Sequence, residues 1–505
     1  MTNSRLILII LLLGIIYKLI MTSGGNFLFN MDNARDLVDV REMVELKKIR
    51  LTGPTSAIEG FYNGPAWYYL LAIPYVVSDG NPYSTIILQI ILWAIGGFFL
   101  LKMVSNFGKI LIILIGLVWV ASDYISLATV YAFNPNPLTL LSPLFIYLLF
   151  KYLQTNKLIF SILTFFLGGL FFNFEMNFGV FIPMIIFVSI LFTNKLTLLK
   201  SSSFWIGLLF FILCLLPQLL FDIRHNFIMT KSVINYLSQG TSTSYNLFTR
   251  FQTITDSFFN VFSATLMNRK NLTIIILLLF IPIITKFFKQ IRKNDLIIAS
   301  VVYILIPFIL YVFIPVTVNP WHLGGVAAIL ILLIGFQIKK LWEFNFFGKI
   351  IGLTLSLFLI FYSLSNISKF FLLDFGKPNM DPSLYKNEIA AIDYVYKFAN
   401  GQNFKAYTYL PSVYDYPYQY LFWWYGRKIY GYIPYEYAYS PNIPQYISNK
   451  EKFIGSKTNY QGLVFLIKEP DRIKMRRAWE DDFDHILLIK KGMVGPLEVD
   501  IRKEF

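Results

Sequence analysis

Three carboxylates stand close together near the N-terminus, in "NMDNARDLVDVREMVELKKIRLTGP" starting at Asn30. On a helix of 3.6 residues per turn, Asp32, Asp36 and Asp39 fall at i, i+4 and i+7, along one narrow stripe. Carboxylates in such a row have several uses. They can present negative charge to a lipid head group from a helix lying on the membrane. They can ligate a hard cation through oxygen. Asp32 can also do no more than cap the helix, accepting from free amides at its start. Leu37, Val40 and Val44 form a second stripe beside the acids, the pattern of a helix resting on a bilayer surface.

The elements that must position these acids are set by composition. Of 505 residues, 56% are hydrophobic and 14% charged. Apolar runs of membrane-spanning length recur to about Leu364. The fold class is therefore a polytopic α-helical membrane protein. The opening run, "RLILIILLLGIIYKLIM", has no small-residue cleavage site and reads as an uncleaved first span. A net charge of +15 raises the question of nucleic acid. The lysines sit in short loops between apolar runs, however, where the positive-inside rule places them, and no nucleic-acid partner is implied. Cys214, the one cysteine, lies inside an apolar run, so neither a disulfide framework nor a cysteine metal site is expected. Three histidines far apart in sequence make a zinc site equally unexpected.

Facing the basic loops 102–109, 151–157, 193–200, 286–295 and 339–349 toward the cytoplasm gives about eleven spans. They lie near 6–22, 84–101, 110–122, 137–150, 158–172, 178–192, 203–221, 271–285, 296–314, 322–338 and 347–364. The segment "GPAWYYLLAIPYVVSDG" must then stay at the surface, because a crossing there would turn every later lysine outward. Its Pro65, Pro74 and tyrosines suit an interfacial helix. The domain reading is a transmembrane part over 1–364, with an outer-face loop 23–83 and an outer loop 222–270. A small extracytoplasmic α/β domain follows over 365–505. In that tail "EIAAIDYVYKFA" reads as a helix, "KAYTYL" and "GLVFLI" as strands, and "DRIKMRRAWEDDF" as a polar helix. Its middle, "YDYPYQYLFWWYGRKIYGYIPYEYAY", reads as a bilayer-interface surface or as a platform for stacking a sugar ring. The N-terminus is placed in the cytoplasm and the protein in the cytoplasmic membrane.

The segment "MDNARDLVDVREMVELKKIRLTGP…FYNGPAWYYLLAIPY" resembles the first outer loop of GT-C glycosyltransferases. The branch it most resembles holds protein O-mannosyltransferases and the bacterial aminoarabinose transferase of lipid A. "YAFNPNPL" (131–138) and "LPQLLFDIRHNF" (216–227) extend the likeness over residues 1–365. The resemblance implies an inverting sugar transfer from a polyprenyl-phosphate donor, outside the cytoplasmic membrane, to an acceptor that the sequence does not name. Asp32 matches the family's catalytic base, which takes the acceptor hydroxyl's proton. Arg35 matches the family's Ala-Arg position, from where a guanidinium can pair with that phosphate bidentately. Asn33 departs from the family's frequent Glu, and Asn63-Gly64-Pro65 replaces a His/Lys-Pro-Pro turn.

Arg224, His225 and Lys231 are candidates to restore that lost cation, or plain interfacial anchors. His322 is a further candidate phosphate ligand. Asp36, Asn63, Asp123, Asn134 and Glu175 are candidates to line the substrate site. Asp123 and Glu175 stand at the outer ends of spans, where an ionisable group is either functional or simply hydrated. No cofactor is implied, and no metal, since the resembling branches act without an essential one. The rival class is a transporter or lipid flippase. It would need charged or broken helices at mid-membrane, whereas these runs are mostly free of charge.

The topology yields an expected outcome. With Cys214 as the parent control, a cysteine placed at Asn106 should resist impermeant thiol reagents in intact cells, and one at Asn442 should react. Labelling at 106 would overturn the orientation.

Overall fold

The computed structural model describes residues 2–56, 58–239, 246–441, 447 and 449–504. Part of the 222–270 loop (240–245) and Asn442 lie outside the described residues. Among those described, eight helices are long and apolar enough to cross a membrane. They are Asn3–Gly25, Tyr83–Phe107, Asn136–Thr155, Ser202–Arg224, Lys270–Ile291, Asp295–Phe313, Pro320–Phe344 and Phe346–Asp374. A bent pair, Lys109–Ala121 and Asp123–Val130, meets at 56° and makes up to nine. The remaining expected spans coincide with shorter apolar helices, Leu158–Phe174 and Met176–Phe192. The helix Ala66–Ser78 has 13 residues. It reaches only about 20 Å, short of a hydrocarbon core about 30 Å thick.

The chain divides into two compact units. The first holds Met1–Leu19, Arg50–Tyr69 and Ile87–Leu373, and the second holds Ile20–Ile49, Leu70–Ile86 and Asp374–Phe505. The division thus differs from a single cut after residue 364. The helix carrying the aspartates belongs with the C-terminal sheet.

Among the described residues the first unit is mostly helical, with one isolated antiparallel bridge between Thr55 and Tyr62. Its helices Leu158–Phe174 and Ser202–Arg224 approach through small residues, the usual device where lipid offers no hydrophobic drive. A Cβ on Gly207 would lie 2.3 Å from the Ser161 hydroxyl, and one on Gly169 would lie 2.6 Å from the Cys214 Cβ. Ser161 donates to the Ser203 carbonyl across this contact (2.6 Å). Cys214 is therefore a packing residue. The bend after Ala121 arises where Ser122 leaves the helix and its hydroxyl accepts from the Ile125 amide, capping the next one.

The second unit is built on a five-stranded sheet, in the order β2-β1-β3-β5-β4. Its strands are β1 (Asn403–Tyr409), β2 (Glu436–Ala438), β3 (Tyr460–Lys468), β4 (Leu487–Val494) and β5 (Leu497–Lys503). β1 runs parallel to both β2 and β3, while β5 is antiparallel to β3 and to β4. The expected strands are β1 and β3. The β4–β5 hairpin went unseen in the sequence because β4 is an edge strand, largely exposed and lysine-bearing, without a clear apolar alternation. The polar helix shrinks to Arg476–Asp481. Helix Tyr385–Ala399 buries Ala391, Ile392, Val395 and Tyr396.

Two expectations are corrected here. Helix Met31–Glu45 does not rest on a bilayer by its apolar stripe. Leu37 and Val40 are buried within the protein, and the helix packs on the helix Tyr416–Leu421. Its Arg41 is buried as well, with the guanidinium 3.9 Å from the Phe453 ring centre and 5.1 Å from that of Trp423. The tyrosine-rich stretch is mostly neither an interfacial surface nor an open platform. Tyr418, Tyr420, Phe422, Trp423 and Trp424 are core residues. The Tyr420 hydroxyl donates to the Gly80 carbonyl (2.6 Å) and the Trp424 indole to that of Asp79 (2.6 Å). Large rings with a polar tip serve as core wherever a carbonyl meets the tip.

Candidate functional site

In the second unit the helix Met31–Glu45 opens with Asn30 as its cap. The Asn30 side chain accepts from the Asp32 amide (3.1 Å). The cap is therefore Asn30, and Asp32 is released from that role. Asp32 sits in the first turn, where the helix dipole favours a carboxylate.

The three acids of the stripe have three environments. Asp36 has no exposure to solvent and receives both Nε (3.0 Å) and Nη2 (2.9 Å) of Arg35 on one oxygen. Nη1 of the same guanidinium donates to Asp32 (3.2 Å), which keeps 31% of its side-chain surface. Asp39 lies near Tyr416, whose hydroxyl burial, and then the Asp39 charge, hold against ionisation. One planar cation thus bridges a buried carboxylate and an accessible one, a geometry suited to a guanidinium and not to an ammonium.

Asp32 faces a cavity of about 280 Å³, which Glu388, Glu469, Arg472, Ser383 and Ser412 also line. Both oxygens of Glu388 are buried without a hydrogen-bond partner, and so is the Tyr418 hydroxyl. Burial, then the charges of Glu469 and Asp381, push the Glu388 carboxyl well above its usual range. Burial also raises Glu469, to about 7, against the lowering pull of Arg472 and with a further push from Asp381. None of these residues was singled out by the sequence reading. One signal was present. In "EIAAIDYVYKFA" Glu388 shares the helix face of Ala391, Ile392 and Val395, an acid alone on a core stripe.

In the first unit the structure brings Asn134, Glu175 and His322 together. Glu175 is buried and caps the short helix Met176–Gly179, accepting from the Asn177 amide (3.1 Å) and side chain (2.9 Å). The Asn177 side chain lies 3.3 Å from Nε2 of His322, whose Nδ1 accepts from the Asn319 amide (3.3 Å). Asn134 donates to the carbonyl of Phe174 (2.7 Å). Simple hydration of Glu175 is excluded by this burial. Asn177, the joint of the cluster, was missed by sequence.

The other candidates stand apart from that cluster. Asp123 accepts from Tyr362 (2.9 Å) and Asn366 (2.9 Å), both on Phe346–Lys369. Asn63 holds a turn, with its amide donating to the Pro54 carbonyl (2.9 Å). Arg224 is exposed at the end of its helix, and His225 stacks on Phe221 at 4.0 Å. Close by, Asp222 is buried and accepts from the Met229 amide (2.7 Å), folding the chain back at the helix end. Asp222 also lines an apolar cavity of about 330 Å³ with Phe172, Leu215, Leu219 and Met229. No cluster of three or more metal-ligating side chains occurs among the described residues.

No protein-family model and no curated protein matches the sequence. Solved structures do. A crystal structure of ArnT from Cupriavidus metallidurans bound to undecaprenyl phosphate has a TM-score of 0.61 at 12% identity, covering 99% of this chain and 98% of that one. The same protein in the apo state gives 0.60 at 11% identity, over 98% and 97%. The fold is that of ArnT. This is the GT-C architecture, and the chain is a multi-pass membrane protein. The match covers nearly the whole of this chain, residues of both units included.

The raised carboxyls predict how stability depends on pH. An acid whose folded pKa lies above its unfolded value keeps its proton longer when folded, so stability falls as pH rises between the two. For Glu469 the window runs from about 4.5 to about 7. Each such carboxyl can lower stability by at most about 1.4 kcal/mol per pH unit. The melting temperature of the purified chain should therefore drop from pH 5 to pH 7, and Glu469→Gln should flatten that decline. A flat profile unaltered by the substitution would contradict the burial of Glu469.

Proposed function

We propose that the chain is an inverting glycosyltransferase. It takes a sugar from a polyprenyl-phosphate donor and gives it to an acceptor hydroxyl on the outer face of the cytoplasmic membrane. The observation that carries the reading is Asp32, relieved of capping by Asn30, bound by Arg35 and facing a cavity. The whole-chain likeness to ArnT, solved with undecaprenyl phosphate, supports the donor class.

In the proposed reaction the acceptor oxygen attacks the anomeric carbon as the Asp32 carboxylate takes its proton. The bond from that carbon to the phosphate oxygen breaks, and the polyprenyl phosphate leaves with the electron pair. A single displacement inverts the anomeric centre. A phosphate is a good leaving group, so stabilising its charge matters more than protonating it. Arg35 is the proposed stabiliser in the second unit. Arg224, His225 and His322 are proposed anion ligands of the membrane unit, whose apolar cavity is of a kind that a prenyl chain fills. No step requires a metal.

The decisive variant is Asp32→Asn, which keeps size and hydrogen bonding but gives up the proton-accepting charge. Since Asn30 caps the helix, the substitution leaves the cap untouched. With a radiolabelled polyprenyl-phosphate sugar and membrane acceptors, transfer should fall by about two to four orders of magnitude while the protein stays folded. Asp39→Asn should cost little. Near-normal transfer by Asp32→Asn would remove Asp32 from the reaction.

A further inference from the structure

We infer that two loops of the second unit, 410–414 and 469–477, form a docking surface for an anionic lipid leaflet. Val413, Tyr414, Ile473 and Met475 supply its apolar contacts, and Arg472 and Lys474 its charge. The inference goes beyond the transfer reading and does not need it.

β1 and β3 run parallel, so both loops leave the same edge of the sheet. They meet there. The Tyr409 hydroxyl donates to Asp471 (2.7 Å), and Leu410, Pro411, Ser412, Glu469 and Arg472 line the Asp32 cavity together. Each loop also leaves apolar side chains in the open. Val413 is 41% exposed, Tyr414 45%, Ile473 43% and Met475 55%. Single apolar residues at a surface need no explanation. Four on two loops from one edge call for a cover.

The exposure is not slack. Asp471 accepts from the amides of Met475 (3.1 Å) and Arg476 (3.3 Å) as well as from Tyr409, which fixes the turn between them. Lys474 sits inside that turn at φ +58°, with Ile473 and Met475 on either side. In the other loop Val413 holds φ +67°, an outlier for a β-branched residue, with its amide on the Leu410 carbonyl (2.9 Å). Left-handed backbone at such residues persists only where the surroundings impose it, and it gathers at functional sites.

Charge and polarity select the cover. The chain is a membrane protein, so a lipid surface is always at hand. Cations flanking apolar tips, with a tyrosine beside them, suit a headgroup layer. The tips and the ring enter it, while Lys and Arg stay at the phosphates. The acids nearby are engaged within the protein. Asp471 is bonded as above, Glu469 is buried, and Asp415 is buried and accepts from Gln419 (2.8 Å). Arg477 holds Asp481 and Asp484 (3.0 and 3.8 Å), whereas Arg472 and Lys474 make no ion pair among the described residues. A neutral leaflet would leave those two cations without a counter-charge.

The test uses the full-length protein in nanodiscs of phosphatidylcholine alone, or of phosphatidylcholine and phosphatidylglycerol in equal parts. Met475→Cys carries an NBD fluorophore, and doxyl-labelled lipid is the quencher. Gln402→Cys is the control, because residue 402 precedes β1 and lies at the opposite edge of the sheet. The parent, labelled in parallel, supplies the Cys214 signal. Position 475 should be quenched in the anionic discs and position 402 should not. Arg472→Gln and Lys474→Gln should each lower the docked-to-free ratio there by about fivefold, the worth of one cation near an anionic surface. Added salt should act in the same direction. Ile473→Ser should weaken quenching in both lipids.

The assignment is overturned if 475 stays unquenched in the anionic discs, or if 402 is quenched as strongly. Quenching that is equal in both lipids and indifferent to Arg472→Gln and Lys474→Gln overturns it as well, since the loops would then read apolarity alone. Blue-shifted emission at 475 without lipid quenching would mark cover by a second copy of the chain, and that result also contradicts it.

Discussion

A carboxylate with no exposure to water stays charged only where hydrogen bonds or a paired cation replace its hydration, and Asp36 has the Arg35 guanidinium. Arg35 meets it with two nitrogens, and the third reaches Asp32. Removing the guanidinium would take the cation from a buried carboxylate, a loss of about 3–5 kcal/mol in comparable buried pairs. The bridge thereby fixes the Asp32 side chain relative to the body of its helix. Asn30 fixes the first turn from the other end. Between them they hold the acid of the stripe that lines the cavity.

The second unit gives that helix its rigidity. Leu37, Val40 and Arg41 are buried, and Phe29 donates its amide to the Ser383 carbonyl (2.8 Å), just ahead of the helix that carries Glu388. A carboxylate from the helix Met31–Glu45 and two from the C-terminal part consequently line one cavity inside one compact unit. A positioned base needs this kind of support, because an error of about 1 Å in placement is enough to cost much of its effect.

Much of this was legible in the sequence. The spans were, because apolar runs of that length have few other uses, and two of the five strands were. The GT-C fold was suggested by "MDNARDLVDV" and the segments that follow it in order. The role of Asp36 was not, since spacing places three acids on one stripe but cannot show which side of the helix is covered. The covering came from the aromatic tail, more than 350 residues away in sequence, which read as surface and turned out to be core. Glu388 and Glu469 were hidden for the same reason. Each looks like an ordinary acid of an α/β domain until the fold sets it beside Asp32. In the membrane unit the Asn134, Glu175 and His322 cluster depended on Asn177, whose side chain has no distinguishing context in "NFEMNFG".

The central claim is that Arg35 meets the phosphate of a prenyl-linked donor beside Asp32, the proposed base. A cryo-EM map of the full-length protein with undecaprenyl phosphate tests this most directly. The account predicts phosphate density within about 4 Å of the Arg35 guanidinium, on the side of the Asp32 cavity. Phosphate density far from Arg35, with the guanidinium still closed on both aspartates, would contradict it.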